Sequence, residues 1–145
     1  LEPGQGDRAP DDLANRKAEI EAVTESVRKA GIAGAAEYMK ARLAFHERRW
    51  AEAASLFERA RASLSAQPDL ASQADLYLGA CFERLEEPTR MFNAYRRVAD
   101  WDATSIPAHM GMAAARLLQG QVADALKQYE VLGRQGRIPT RALLD

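Results

Sequence analysis

Apolar residues recur along this chain every three or four positions with polar ones between them, the rhythm of amphipathic helices. Leu13, Ile20, Val23, Val27 and Ala30 form one stripe on a first helix over 11–30, with Asp11 or Asp12 as its cap and Gly31 and Gly34 as the break behind it. From there the chain reads as helix pairs. Residues 35–48 and 50–64 make the first pair, and Pro68 and Asp69 mark the next boundary. Ser72 with Asp75 three residues on resembles a capping box for a helix reaching Leu85. Pro88 suits the first turn of the following helix, where its missing N–H costs nothing. Pro107 starts another helix, Gly120 ends it, and 122–132 is the helix that completes the last of the three pairs. Gly133, Gly136 and Pro139 close that run, and 140–144 reads as the stub of a further helix. Strand signals are absent, so the expected class is all-α.

The same pattern repeats at long range. With 38–61, 76–99 and 110–133 in register, the middle segment carries Leu78-Gly79-x-x-Phe82 and then Met91-x-x-x-Tyr95-x-x-Val98. The first carries Ala41 and then Ala53-x-x-x-Phe57-x-x-Ala60; the third carries Ala113 and then Ala125-x-x-x-Tyr129-x-x-Leu132. The aromatic anchors 57, 95 and 129 are 38 and 34 residues apart, and 53, 91 and 125 keep the same separations. A small residue on the first helix of a pair lets the second approach closely. The aromatic one turn beyond the slender position of the second helix then fills the space toward the next pair.

These three copies resemble the tetratricopeptide repeat family, whose unit of about 34 residues is a helix–turn–helix with this small-then-aromatic pattern. The resemblance covers about residues 34–136 and implies an α-solenoid of about three repeats (34–67, 72–105 and 106–136). An extra N-terminal helix precedes them, within one domain spanning 11–145 that follows a flexible segment 1–10 and ends in a stub 139–145. The implied winding is a right-handed superhelix. Several positions depart from the family pattern. The aromatic near the start of each repeat is replaced by Glu37, Asp75 and His109, and Met91 stands where Ala is usual. The glycine of the inter-helix turn survives only as Gly120, with Arg48 and Glu86 in the other units. Four extra residues between the first two units imply a longer loop around 65–71.

The resemblance also implies a binding face. In this family the first helix of every pair lines a concave groove that takes an extended peptide or a helix. Carried across, the register gives three rows: Tyr38, Leu76 and Met110; Arg42, Ala80 and Ala114; Phe45, Glu83 and Leu117. Only Arg42 and Glu83 are charged, which suits an apolar segment with a few polar fixings. The alternative is that the N-terminal helix or a further C-terminal helix covers these residues. Family members that grip a chain-terminal carboxylate do so at positions matching Tyr38, Arg42, Tyr77, Pro107 and Gly111, of which only Arg42 has suitable chemistry.

Composition agrees with a globular helical chain: 47% of the residues are hydrophobic and 28% charged. Net charge is −1, from 20 basic and 21 acidic side chains, which provides no global field for nucleic acid or an anionic membrane. No apolar run approaches the roughly 18 residues of a bilayer span. Cys81 is the only cysteine, so an intrachain disulfide is excluded, and either an oxidising or a reducing compartment is compatible. The chain opens at Leu1 and reads as a piece of something longer.

His46 and His109 sit in different units without further ligands at helical spacing, short of the three or four that a metal needs. Cys81 has apolar neighbours and no His to form its thiolate, and so reads as an inert core thiol. Gly31-x-x-Gly34 lacks the preceding strand of a phosphate loop, and Glu86-Glu87 reads as a solvated turn. Arg96-Arg97 with Arg90 reads as solvent-facing helix charge, while Trp50 and Trp101 read as packing between elements. The expectation is a non-catalytic protein-protein interaction module without cofactor or metal, whose partner is another protein or peptide segment. The alternative is a structural spacer, or a segment that self-associates through its end faces, within a larger envelope, secretion or regulatory assembly.

Overall fold

The structure is a computed structural model that describes residues 10–29 and 31–134. Seven helices follow one another: α1 (Pro10–Lys29), α2 (Ala35–His46), α3 (Trp50–Ser63), α4 (Pro68–Arg84), α5 (Pro88–Trp101), α6 (Ile106–Leu118) and α7 (Val122–Arg134). Among the described residues there is no strand. Each helix packs on the next in sequence, and in addition α2 meets α4 and α4 meets α6. The backbones of α3 and α5, and of α5 and α7, stand apart. One layer is therefore closer-set than the other, consistent with a repeat-like helical fold. The expected segment 140–144, with Gly136 and Pro139, lies outside the described residues.

Local chemistry explains most boundaries. Pro68 and Pro88 open α4 and α5, where a fixed φ favours the first turn. Ser105 caps α6 by accepting a hydrogen bond from the Ala108 N–H at 3.3 Å. Two expectations are corrected here. Ser72 and Asp75 do not cap a helix start, because α4 already begins at Pro68 and both lie inside it. The four extra residues between the first two units are not a longer loop: they lengthen α4 to 17 residues, against 12 in α2 and 13 in α6. Four residues make about one helical turn, so the insertion leaves the facing of everything after it nearly unchanged. The first helix likewise starts at Pro10, which places Asp11 and Asp12 in its first turn rather than ahead of it.

The core is built largely from alanine. Ala41, Ala44, Ala53, Ala60, Ala74, Ala94, Ala113 and Ala125 have no exposed surface, and short side chains of this kind let helix backbones approach closely. Phe57, Leu64, Leu78 and Met91 fill the remaining space and are fully enclosed. Burying each of these larger side chains stabilises the fold by roughly 1.5–3 kcal/mol. Positions 53, 91 and 125 are all fully buried, so Met91 occupies the same kind of site as the two alanines.

The inter-helix turns repeat as well. The N–H groups of Arg48, Glu86 and Gly120 bond to the carbonyls of Phe45, Glu83 and Leu117, and those of Arg49, Glu87 and Gln121 to Ala44, Phe82 and Arg116. This paired 5→2 and 6→1 pattern is a Schellman end, which requires a left-handed residue just past the helix. Arg48 (φ 61°), Glu86 (φ 57°) and Gly120 (φ 77°) adopt that conformation at positions 38 and 34 residues apart. The register read from side chains is thus written independently in the backbone.

Candidate functional site

The helices α2, α4 and α6 carry the nine residues singled out in the sequence, and those residues fall into different surroundings along the layer. At the α2 end they form a closed aromatic cluster. Tyr38 is buried, its hydroxyl donates to Oε1 of Gln73 at 2.9 Å, and its ring meets those of Phe57 and Tyr77 edge-on at 5.9 and 6.4 Å. Burial raises the pKa of this phenol, with the neighbouring Arg42 opposing the shift. Phe45 packs edge-on against Trp50 at 5.1 Å and Tyr77 at 5.0 Å. Tyr77 in turn stacks on Phe57 at 5.0 Å with planes 4° apart. Arg42 lies over the open face of the Tyr77 ring, 5.6 Å from its centre.

Toward the other end the layer opens. Leu76, Ala80 and Ala114 are half-buried and Glu83 is exposed, while Met110 and Leu117 retain 39% and 45% of their surface. Leu118, which the row pattern left out, adjoins them at 56% exposure. Three large apolar side chains on one short helix exceed the scattered single exposures normal for a protein surface. Helix α1 packs on α2 and meets neither α4 nor α6, so its described residues do not cover this part of the layer.

The layer is held in place from behind by two devices. Tyr95 of α5 is wedged between glycines of the two adjacent helices: a Cβ added to Gly79 on α4 would lie 2.5 Å from its ring, and one on Gly111 of α6 would collide with the same ring. In the preceding pair the place of Gly111 is taken by Tyr77, and there Phe57 stacks on a ring instead of entering a notch. The second device is ionic. Asp75 is buried on α4, with Arg61 of α3 and Arg97 of α5 at 2.9 and 2.8 Å from its Oδ1. Arg97 is thus an internal tie rather than solvent-facing charge. Arg90 is solvent-facing as expected, and on that surface it pairs with Glu58 at 2.8 Å and Glu87 at 3.1 Å while lying over Phe82. The tryptophans divide: Trp50 packs against Phe45 and Arg84, but Trp101 is 57% exposed and is not packed between elements.

Other chemistry is sparse. Cys81 is buried, and burial pushes its thiol up to about 12, the opposite of an activated nucleophile. His109 ties its Nε2 to the Ala103 carbonyl at 2.8 Å beside an open cleft of about 300 Å³, also lined by Lys127, Gln128, Val131 and Leu132. Among the described residues no three His, Cys, Asp or Glu side chains converge as metal ligands, and no helix is long and apolar enough to cross a membrane. Sequence reasoning missed Gln73 and Leu118 as parts of this face, and named Tyr77 only as a position unsuited to gripping a carboxylate. Gln73 and Tyr77 share a helical face at a spacing of four, and Leu118 continues the apolar end of α6, so each carried a signal. Compared with models of known protein families and with curated protein sequences, the chain matches none.

Proposed function

We propose that this chain is a divergent tetratricopeptide-type solenoid of about three helix–turn–helix units whose inner layer, α2, α4 and α6, holds a segment of another protein without chemistry of its own. The observation that carries this reading is the unevenly spaced pair of layers. The backbones of first helices approach one another in succession while those of second helices stay apart, and such spacing curves a stack so that the first helices line its concave side. On that side Met110, Leu117 and Leu118 offer exposed apolar surface beside the charged Glu83, a surface fitted to an amphipathic helix or an extended apolar segment. Selection of peptide binders on the chain tests the reading. Met110→Glu and Leu117→Glu should each abolish binding while circular dichroism shows the helical content intact. Binding that survives both substitutions overturns it.

A second reading is favoured by a separate observation: α7 leaves Val122 and Leu126, one turn apart on one face, exposed at 60% and 49%. A terminal repeat face of this kind suits stacking of chains end to end, as in a spacer within a larger assembly. Light scattering over a range of concentrations separates the two. A strict monomer that binds peptide supports the groove, and mass that grows with concentration and falls with Leu126→Glu supports stacking.

A further inference from the structure

Four arginines are half-buried among the described residues, and three have evident partners. Arg61 and Arg97 share the Asp75 carboxylate, and Arg116 bonds to the Gln119 and Gln121 side-chain oxygens while lying 3.9 Å over Phe92. Arg42 differs. Its side chain donates a hydrogen bond to the Tyr38 hydroxyl, but among the described residues it has no carboxylate partner, and its Nε–H is enclosed by protein and meets no acceptor. The side chain is held where it is by the Tyr77 ring under it and by Tyr38 one turn before it on α2. Withdrawing a cation partly from water and leaving one of its donors unmet is unfavourable unless an anion compensates. A fixed guanidinium on the inner layer, preorganised but uncompensated, has the properties of one half of an intermolecular ion pair.

We infer that the segment held on this layer carries an internal Asp or Glu side chain that pairs with the outer end of the Arg42 guanidinium, with apolar residues beyond it reaching Leu76, Met110 and Leu117. The inference rests on the groove reading above and adds the chemistry of the partner. An internal side chain is chosen over a chain-terminal carboxylate on two grounds. Arg42 heads its row at α2, with Tyr38 and Phe45 on either side of it along that helix, so a chain laid along α2 passes it on both sides. It is also the one cation among the nine row residues, whereas gripping a terminus takes several convergent donors. The enclosed Nε leaves the terminal nitrogens as the end that a ligand meets.

The test is a selection from random 16-mers displayed inside a loop, without free termini, on the whole 145-residue chain, followed by amidated synthetic copies of the binders. Enriched peptides should share one acidic position followed by apolar ones. Changing that acid to its amide should weaken binding about tenfold on the native chain and less than twofold on Arg42→Met, the scale of a buried charge-assisted pair. Arg42→Lys, which keeps charge but not the planar fork, should fall between; circular dichroism confirms folding of both. Binders that lose affinity with Leu117→Glu but keep it with Arg42→Met overturn the inference and leave the groove standing. Binding only by peptides with a free C-terminal carboxylate overturns the internal side chain. Absence of any binder sensitive to Leu117→Glu overturns the groove and the inference together.

Discussion

Arg97 reaches from α5 to place its terminal nitrogen 2.8 Å from Oδ1 of Asp75, which is buried on α4 and shared with Arg61 of α3. Three consecutive helices are thereby fastened at one carboxylate. Asp75 stands where the resemblance expected an aromatic, and an ion-paired carboxylate occupies that position instead. Removing either arginine leaves the carboxylate with the other. Arg61→Ala and Arg97→Ala should therefore each cost only about 1 kcal/mol, because both guanidinium groups are substantially solvated. The double variant strands a buried charge and should cost about 3–5 kcal/mol, more than the sum. Urea denaturation of the four proteins measures the cycle, and strict additivity would contradict the shared-anion description.

The Tyr95 wedge makes a prediction whose sign runs against ordinary helix propensity. Alanine in place of a mid-helix glycine normally stabilises by about 1 kcal/mol. At Gly79 and Gly111 the added methyl group meets the Tyr95 ring, and the opposite glycine backbone prevents the ring from retreating. Overpacking of this kind costs roughly 1–3 kcal/mol, so Gly79→Ala and Gly111→Ala should both lower the midpoint of thermal unfolding. In a Tyr95→Ala background the same two substitutions should become neutral or stabilising.

The wedge also indicates what the sequence made legible. Spacing alone pointed to Gly79 as the close-approach site and to Tyr95 as the residue filling space toward the next pair, because a small-then-aromatic pattern has few packing solutions. The second glycine, Gly111, was invisible in that role, since its counterpart in the preceding pair is the large Tyr77. Helix existence was readable from periodicity and proline, but the start of α4 was not. Ser72 and Asp75 mimic a capping box, and only the tertiary pairing of Asp75 reveals that its carboxylate is engaged elsewhere. The row residues were legible as positions but not as environments. Whether Tyr38 or Leu117 is buried depends on how much aromatic bulk neighbouring helices supply, which no local pattern encodes.

The three left-handed turn residues offer a route to a more stable chain. Arg48 and Glu86 hold φ near +60° in Schellman ends where Gly120 does the same without a Cβ. The left-handed conformation costs an L-residue about 1–2 kcal/mol, and part of the gain from glycine is cancelled by its greater freedom in the unfolded chain. Arg48→Gly and Glu86→Gly should each stabilise by roughly 0.5–1 kcal/mol, additively because the two turns share no partner. Gly120→Ala should destabilise by a similar amount. Chemical denaturation with an unchanged slope would confirm that only stability has moved.

Alkaline pH should loosen the fold through two buried groups of α4 and α5. Burial raises the Cys81 thiol from 9.0 and the Tyr95 phenol from 10.0 to about 12 each. Well below pH 9 both groups are protonated whether the chain is folded or not, and they make no pH-dependent difference. Between about pH 9 and 12 the unfolded chain releases these protons while the folded chain retains them, so deprotonation draws the equilibrium toward unfolding. Stability should therefore be flat up to about pH 9 and fall steadily above it, with a smaller slope in Cys81→Ala and Tyr95→Phe. The same burial shields the thiol chemically: at pH 8 a disulfide reagent should leave Cys81 unmodified in the folded chain and label it at once in urea. Rapid labelling of the folded protein would mean that α4 and α5 part often enough to expose the sulfur, and the tight packing of Gly79, Cys81 and Tyr95 would have to be abandoned.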